Sequence, residues 1–299
     1  MTPTEIAERT GVSARTAYRD LKALQDELEL PIWEESGRYG ALPGAFLPPL
    51  PLTLLEAVTL FLSARLMARF SDRRNEHTIR AYGSLAAVLP APIAQHIYST
   101  VASIDQRRQD PDYTAVFDAV VKGWADHRKV AVRYAHPSED GGTVTSERLL
   151  APYFIEPHPS GHTLYILAHD SESGAVRTFR LERIQRAQLT DEDFDVPERF
   201  DAEHRLRDSW VITDEPPIEV RLLFHDPTAA ERARENRWHM SQREIYREDG
   251  KLELRFRVAG LLEILSWILG WGPAVEVLAP RELRAQLARL TSEMASRYR

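Results

Sequence analysis

The chain has 299 residues, a formal net charge of −7 and no cysteine. That length allows about two domains, or three small ones, with ample material for buried cores. The acidic balance argues against coating nucleic acid through total charge and leaves room only for a local basic patch, while the missing cysteines remove disulfides, thiolate metal sites and thiol nucleophiles. The opening MTPTEIAERT lacks the basic start and apolar core of a signal peptide. No apolar run approaches the roughly 18 residues that span a membrane, so a cytoplasmic protein with no membrane partner is expected.

Residues 1–30 predict two helices around a tight corner. Thr2 or Thr4 caps a short helix through Arg9, and Gly11 supplies the positive φ that a sharp corner requires. Ser13 caps a second helix, Ala14–Leu28, whose Ala17, Leu21, Leu24 and Leu28 recur at helical spacing. This is the arrangement of a helix-turn-helix, in which the first turns of the second helix enter the major groove of duplex DNA. The residues offered there are Ser13, Arg15, Thr16, Tyr18 and Arg19, with Lys22 one turn on. A plain helical hairpin with a solvated face is the competing reading. The string I-A-x-x-x-G-V-S-x-R-T-x-x-R-D-L is more specific than that and favours DNA. Leu30–Pro43 predicts a short hairpin with Arg38 and Tyr39 at its tip, a wing that lays Arg38 on a phosphate backbone or in the minor groove. Residues 1–45 therefore resemble the winged helix-turn-helix regulators. Such domains open with one further helix, so the first helix of the fold is expected to be missing here.

Residues 46–110 begin with a proline-stiffened linker, Phe46–Leu52. Thr53 then caps a long helix with Leu54, Leu55, Val58, Phe61, Leu62, Leu66 and Phe70 as its apolar stripe. Helices over Ile79–Leu89 and Ile93–Ile104 follow. With no basic face, this segment predicts a helical connector or a dimerisation element.

Residues 111–200 predict a helix through Trp124, then strands at Lys129–Tyr134, at Val144–Leu150 running on into Ala151–Ile155, at Leu164–Ala168, at Val176–Leu181 and at Ile184–Leu189. One helix with about five short strands makes a small barrel or a strongly bent sheet. Arginines stand at 177, 180, 183 and 186. A regular strand would point Arg177 and Arg183 to one face, Arg180 and Arg186 to the other. The apolar register slips between Leu181 and Ile184, and a bulge or tight turn near Glu182 would gather several guanidiniums on one side. Forked cations on a rigid sheet suit phosphate or carboxylate recognition. Ion pairs with Asp170, Glu172 and Glu182 on a solvated edge are the plainer alternative.

Ala151-Pro152-Tyr153, Leu164-Tyr165-Ile166 before a turn, and Arg177-Thr178-Phe179-Arg180-Leu181-Glu182-Arg183-Ile184 resemble the WYL domain. The family is named for a Trp-Tyr-Leu triplet, of which only Tyr165 stands here, while F-R-L-E-R-I is close to its usual F-R-L-D-R-I. The resemblance covers nearly the whole chain. It implies an Sm-like β-barrel, a winged helix-turn-helix ahead of it and a C-terminal extension behind it, in a transcriptional regulator that senses a ligand, nucleic acid or nucleotides in some members. Carried onto matching positions, it makes Tyr153, Tyr165, Arg177, Arg180 and Arg183 ligand contacts. His169, at a strand end beside them, is added as a hydrogen-bonding candidate.

Residues 215–299 predict strand Ile218–Phe224, helix Pro227–Arg237, a hairpin about Asp249-Gly250, helix Leu261–Leu269, strand Ala274–Leu278 and a last helix with Pro280 at its first position. That order predicts a ferredoxin-like α+β domain. Trp267 and Trp271 read as core or a dimer contact. His158 and His162 flank a turn that fixes no common direction, so no metal is expected. No nucleophile elbow, P-loop, HExxH or dinucleotide fingerprint occurs, and neither an enzyme nor a cofactor is expected.

The whole predicts a multidomain α+β regulator: a DNA-binding domain, a helical connector, a WYL barrel and an α+β extension. Its expected partners are a double-stranded operator, an anionic effector such as single-stranded nucleic acid or a nucleotide, and a second copy in a homodimer. The alternative is an accessory protein that binds ligand or nucleic acid but no longer reads DNA, because its N-terminal domain is truncated.

Overall fold

Thr2 opens α1 (Pro3–Thr10) with a capping box: its hydroxyl accepts the Glu5 N–H, and the Glu5 carboxylate accepts the Thr2 N–H at 2.8 Å. Of the two candidate caps, Thr2 is the one used. Gly11 ends the helix at φ 72° and donates its N–H to the Ala7 carbonyl, turning the chain into α2 (Ala14–Asp26). Ala7 and Ala17 are the buried residues of this corner. Strands β1 (Ile32–Glu35) and β2 (Arg38–Ala41) pair antiparallel as the expected wing. The Trp33 indole lies so close over Gly40 that a Cβ there would meet it at 2.6 Å, so any larger residue must displace the indole. Buried Tyr39 packs edge to face with the Tyr18 ring at 6.1 Å between centroids and ties the wing to α2.

This computed structural model describes residues 1–26, 32–35, 37–41, 51–138, 140–158, 163–213 and 215–298. The predicted end of the second helix at Leu28, the linker residues Phe46–Leu50, the Pro159–Gly161 turn and His162 lie outside them. Contacts divide the chain into two units, residues 1–60 and 61–299, with the boundary inside α3 (Leu54–Phe70). Thr53 and Glu56 cap α3 reciprocally.

In the second unit, Phe61 and Ala68 of α3 pack with α4 (Glu76–Val88) and α5 (Ala91–Asp105) around Tyr82, Ala86, Ala94, Ile97 and Ile104. This corrects the predicted stripe. Leu62 and Leu66 stay 52% and 60% exposed, because the buried line runs through Phe61 and Ala68 instead. Hydrophobic spacing located the helix but not the side its partners cover.

Asp110 caps α6 (Pro111–Ala125) by accepting the Tyr113 N–H. Five antiparallel strands follow, β3 (Arg128–Pro137), β4 (Thr143–Pro157), β5 (Leu164–Asp170), β6 (Ala175–Arg180) and β7 (Ile184–Asp193), in the order β6-β5-β4-β3-β7. The two segments predicted at 144–155 are one long strand with a bulge at Tyr153. Laid flat, five strands would set β6 and β7 about 19 Å apart. Yet Leu181–Arg183, a 3-10 turn, is all that joins them, and it reaches at most about 14 Å. The sheet must therefore curl around its core of Val130, Val132, Leu150, Ile166, Phe179 and Leu181, which Val116 and Val120 of α6 help close. The predicted barrel is nevertheless not closed: among the described residues β6 and β7 form no ladder. The Arg180 N–H goes instead to the Tyr134 hydroxyl of β3, at 3.2 Å.

After the short α7 (Ala202–Leu206) come β8 (Ile218–Phe224), α8 (Pro227–Arg234), β9 (Arg243–Tyr246), β10 (Leu252–Val258), α9 (Leu261–Leu269), β11 (Val275–Ala279) and α10 (Arg281–Arg297). The antiparallel sheet runs β11-β8-β10-β9. Strand residues such as Leu222, Leu254 and Phe256 share one core with Ala233 of α8, Ile264 and Ile268 of α9 and Leu283 of α10, so the helices cover one face. Trp267 and Trp271 pack with Trp238 and, through Trp267, with Trp210 against that core. Pro280 stands at the N-cap of α10 rather than at its first helical position. Among the described residues no helix is long and apolar enough to cross a membrane.

Candidate DNA-reading helix and ligand-binding face

Ser13 accepts the Thr16 N–H at 3.1 Å and shares a hydrogen bond with the Thr16 hydroxyl at 2.8 Å. Both hydroxyls thus serve the start of α2, which leaves Arg15, Tyr18, Arg19 and Lys22 exposed along it. Arg19 pairs with Asp20 at 3.1 Å, a solvated contact worth little. Arg38 is exposed at the start of β2, on the wing. Burial and the neighbouring Glu34 carboxylate push the Tyr39 hydroxyl up to about 12, so it stays protonated beneath Tyr18. A helix carrying cations on its exposed first turns, beside a wing carrying another, can dock in a groove and hold the flanking phosphates.

On the curled sheet the six predicted ligand contacts divide. Arg180 stands opposite Tyr165 in the β5–β6 pairing, with its guanidinium carbon 6.0 Å from the phenol ring centre. Its Nη2 donates to the buried Thr163 hydroxyl at 3.0 Å, whereas its Nε is buried with no partner. Burial raises the Tyr165 pKa; the Arg180 charge opposes that, Glu263 and Glu182 reinforce it, and Arg183 opposes it again. Arg183, at the end of the 3-10 turn, acts on that hydroxyl only as the weakest of these charges. Arg177 lies three residues from Arg180 on a regular strand, hence on the opposite face, and is exposed. It is not part of this group.

Tyr153 and His169 form a second group. Their rings stack at 6.4 Å, with Phe194 and Phe200 at 5.7 and 5.0 Å from Tyr153. His169 shares a face of β5 with Tyr165, about 13 Å along the strand. Burial raises the Tyr153 pKa against the opposing charge of Lys129.

Sequence reasoning missed Arg148, Thr163 and Tyr134. Of the three suspected acids, Asp170 and Glu172 do form ion pairs, but with Arg148, whose Nη1 meets Asp170 at 3.2 Å and also Glu172, whereas Glu182 accepts the Leu164 N–H instead. Burial pushes the Asp170 pKa up, but the N–H of Glu172, Ser173 and the Arg148 charge outweigh it, and the net shift is downward. Nothing local signals a pair 22 residues apart; Thr163 and Tyr134 likewise became visible only once the strands were in register.

Three family models match the chain: an HTH domain over residues 1–41, a WYL domain over 115–189 and a WCX domain over 216–295. Protein PafC of Mycobacterium leprae (strain TN) is 26% identical over 239 residues, which cover 79% of this chain and 69% of PafC. Among solved structures, proteasome accessory factor B/C (PafBC) of Arthrobacter aurescens is 20% identical, with a TM-score of 0.33 over 95% of this chain and 44% of its own. A CRISPR Cas-related protein is 11% identical, with a TM-score of 0.40 over 72% and 60%. The chain thus spans less than half of the first solved relative and less than two thirds of the second.

Proposed function

The chain belongs to the WYL-domain transcriptional regulators, with an HTH domain ahead of the WYL domain and a WCX domain behind it, and from that premise we propose a ligand-responsive, DNA-binding homodimer with no catalytic step of its own. Arg15, Tyr18, Arg19 and Lys22 of α2 face the operator, and Arg38 holds the phosphate backbone. The effector is anionic, a nucleotide or single-stranded nucleic acid, and binds at the Arg180–Tyr165 pair, with Arg183 of the following turn adding charge. The observation that carries this is the Arg180–Tyr165 pair, a cation beside an aromatic ring on a rigid strand, which offers charge and a stacking surface together. In fold terms we read the curled sheet as an Sm-like barrel left open at one seam, and the β11-β8-β10-β9 sheet as a ferredoxin-like domain. Ligand binding at the WYL domain biases the arrangement of the two DNA-reading domains.

The DNA assignment is tested with a folded Arg15→Ala/Arg19→Ala variant, which should lose operator binding; unchanged affinity would overturn it. For the effector, thermal shift of the purified protein against single-stranded oligonucleotides and nucleotides should show stabilisation that a folded Arg180→Ala/Arg183→Ala variant lacks. A variant that still responds clears those arginines of a sensing role.

A further inference from the structure

A cavity of about 290 Å³ opens between the helical connector and the WYL domain. Met67, Ile104, Phe117 and Leu164 give it apolar walls, and Arg73, Arg107, Tyr113 and Glu182 are its principal polar groups. Its volume suits a single ring system, and mostly apolar walls with a few polar groups are the usual make-up of a small-molecule site.

The polar groups differ in how far they are already satisfied. Arg73 pairs with Asp110 at 3.1 Å and lies 4.2 Å over the Tyr113 ring. Arg107 donates to the Ala68 carbonyl at 2.5 Å. Glu182 is only half used. Its Oε1 accepts the Leu164 N–H at 3.2 Å, while its Oε2 is sealed from solvent with no hydrogen-bond partner. Burial, reinforced by the Glu182 carboxylate, pushes the Tyr113 hydroxyl up to about 12, and both residues line the cavity. A buried carboxylate oxygen without a donor is costly, and folded proteins hold few of them. Oε2 presents no surface to the cavity as it stands, so a molecule there that carries N–H donors relieves that cost once the carboxylate turns towards it. An anion would meet Glu182 and find both arginines engaged.

We propose that this cavity binds a small cation, ring-sized and apolar in body, whose amidine- or amine-type N–H groups pair with Glu182. It adjoins the Arg180–Tyr165 face through Thr163, which lines the cavity and accepts from Arg180, but is opposite to that face in charge preference. Because its walls come from α3, α5, α6 and the start of β5, an occupant would pin the helical connector to the WYL domain.

Isothermal titration of the full chain tests this with benzamidine as the probe and benzoate as its charge-reversed match in shape. Benzamidine should bind saturably and benzoate should not. Glu182→Gln, which keeps an oxygen for Leu164, should weaken benzamidine about tenfold or more. Met67→Trp puts an indole into the cavity from the α3 wall and should abolish binding. Circular dichroism melts establish that each variant is folded. Absence of benzamidine binding to the wild type at millimolar concentration overturns the proposal, as does equal binding of benzoate. So does a folded Glu182→Gln or Met67→Trp variant that binds like the wild type.

Discussion

Replacing Arg180 by methionine separates a sensing role from a structural one. The guanidinium donates to the hydroxyl of Thr163, which is only 6% exposed, and leaving that group without a donor costs about 1–3 kcal/mol. Its position 6.0 Å from the Tyr165 ring is at the limit of a cation–π contact and adds about 0.5–1 kcal/mol. Against these stands the Nε, buried with no partner, whose removal returns about 1–3 kcal/mol. Methionine keeps the apolar stem, and the Arg180 N–H keeps its bond to Tyr134. The net loss should be about 1 kcal/mol, small beside the total stability of a domain. Urea unfolding measures it. The same variant should raise the Tyr165 pKa further, because the Arg180 charge is what opposes burial there, and phenolate absorbance follows that titration. It should also lose the response to an anionic effector. A loss above about 4 kcal/mol would mark Arg180 as a structural strut and refute the reasoning, since changes of that size arise when a core contact or a buried network fails.

In the Arg15→Ala/Arg19→Ala variant, each phosphate contact removed should flatten the dependence of log K on log salt by about 0.9, so about 1.8 per protomer, read by fluorescence anisotropy on duplex DNA. An unchanged slope would show that α2 does not face the backbone. Gly40→Ala forces the Trp33 indole off β2, because the new methyl would lie 2.6 Å from the ring. Wing amides should then exchange hydrogen faster, at a cost of about 1–3 kcal/mol. Glu253 is 1% exposed and meets Arg221 at 2.8 Å and Arg255 at 2.7 Å. The Arg221 hydrogen bond is the largest influence on its pKa and depresses it in the folded state. Its contribution is therefore present above the unfolded value of about 4.3 and lost as pH falls through the folded one. Glu253→Gln should destabilise clearly at pH 7 and progressively less below about pH 4 in urea melts; an equal deficit at both would contradict the assigned ion pairs.

The parts that were legible in the sequence are those set by local chemistry. The Gly11 corner, the Ser13 cap and the Ala17–Leu21–Leu24 spacing need no tertiary knowledge, and the two helices stand where they were expected. The hairpin from Leu164 to Arg180 was legible for the same reason, since a turn cluster separates two runs of β-formers. What failed depended on partners. Leu62 and Leu66 look like core on a helical wheel, yet α4 and α5 cover Phe61 and Ala68 instead. The acidic residues of the turn were matched to the nearest arginines in sequence, whereas register brings Arg148 to Asp170 from the neighbouring strand. Glu253, enclosed by arginines of two other segments besides its own strand, carries no local sign of burial at all.

The 3-10 turn at Leu181–Arg183 sets how the arginines around the proposed ligand face are arranged. Had β6 continued as a strand, side chains would have alternated without a break, and Arg183 would have followed Arg177 to the face opposite Arg180. Leu181, 2% exposed, anchors the turn in the core, and the chain reverses its alternation over three residues before β7 begins. Arg183 thereby comes near enough for its charge to act on the Tyr165 hydroxyl, on the side of Arg180. Arg177 is not recovered, because the turn lies after it. Arg186 stands across from Arg133 on β7 and β3, away from Tyr165. On the proposed ligand face the paired groups are thus Arg180 and Tyr165, with Arg183 contributing charge from the turn. The same turn carries Glu182, which puts the unpaired carboxylate of the connector cavity and the cations of the ligand face within three consecutive residues of Arg180.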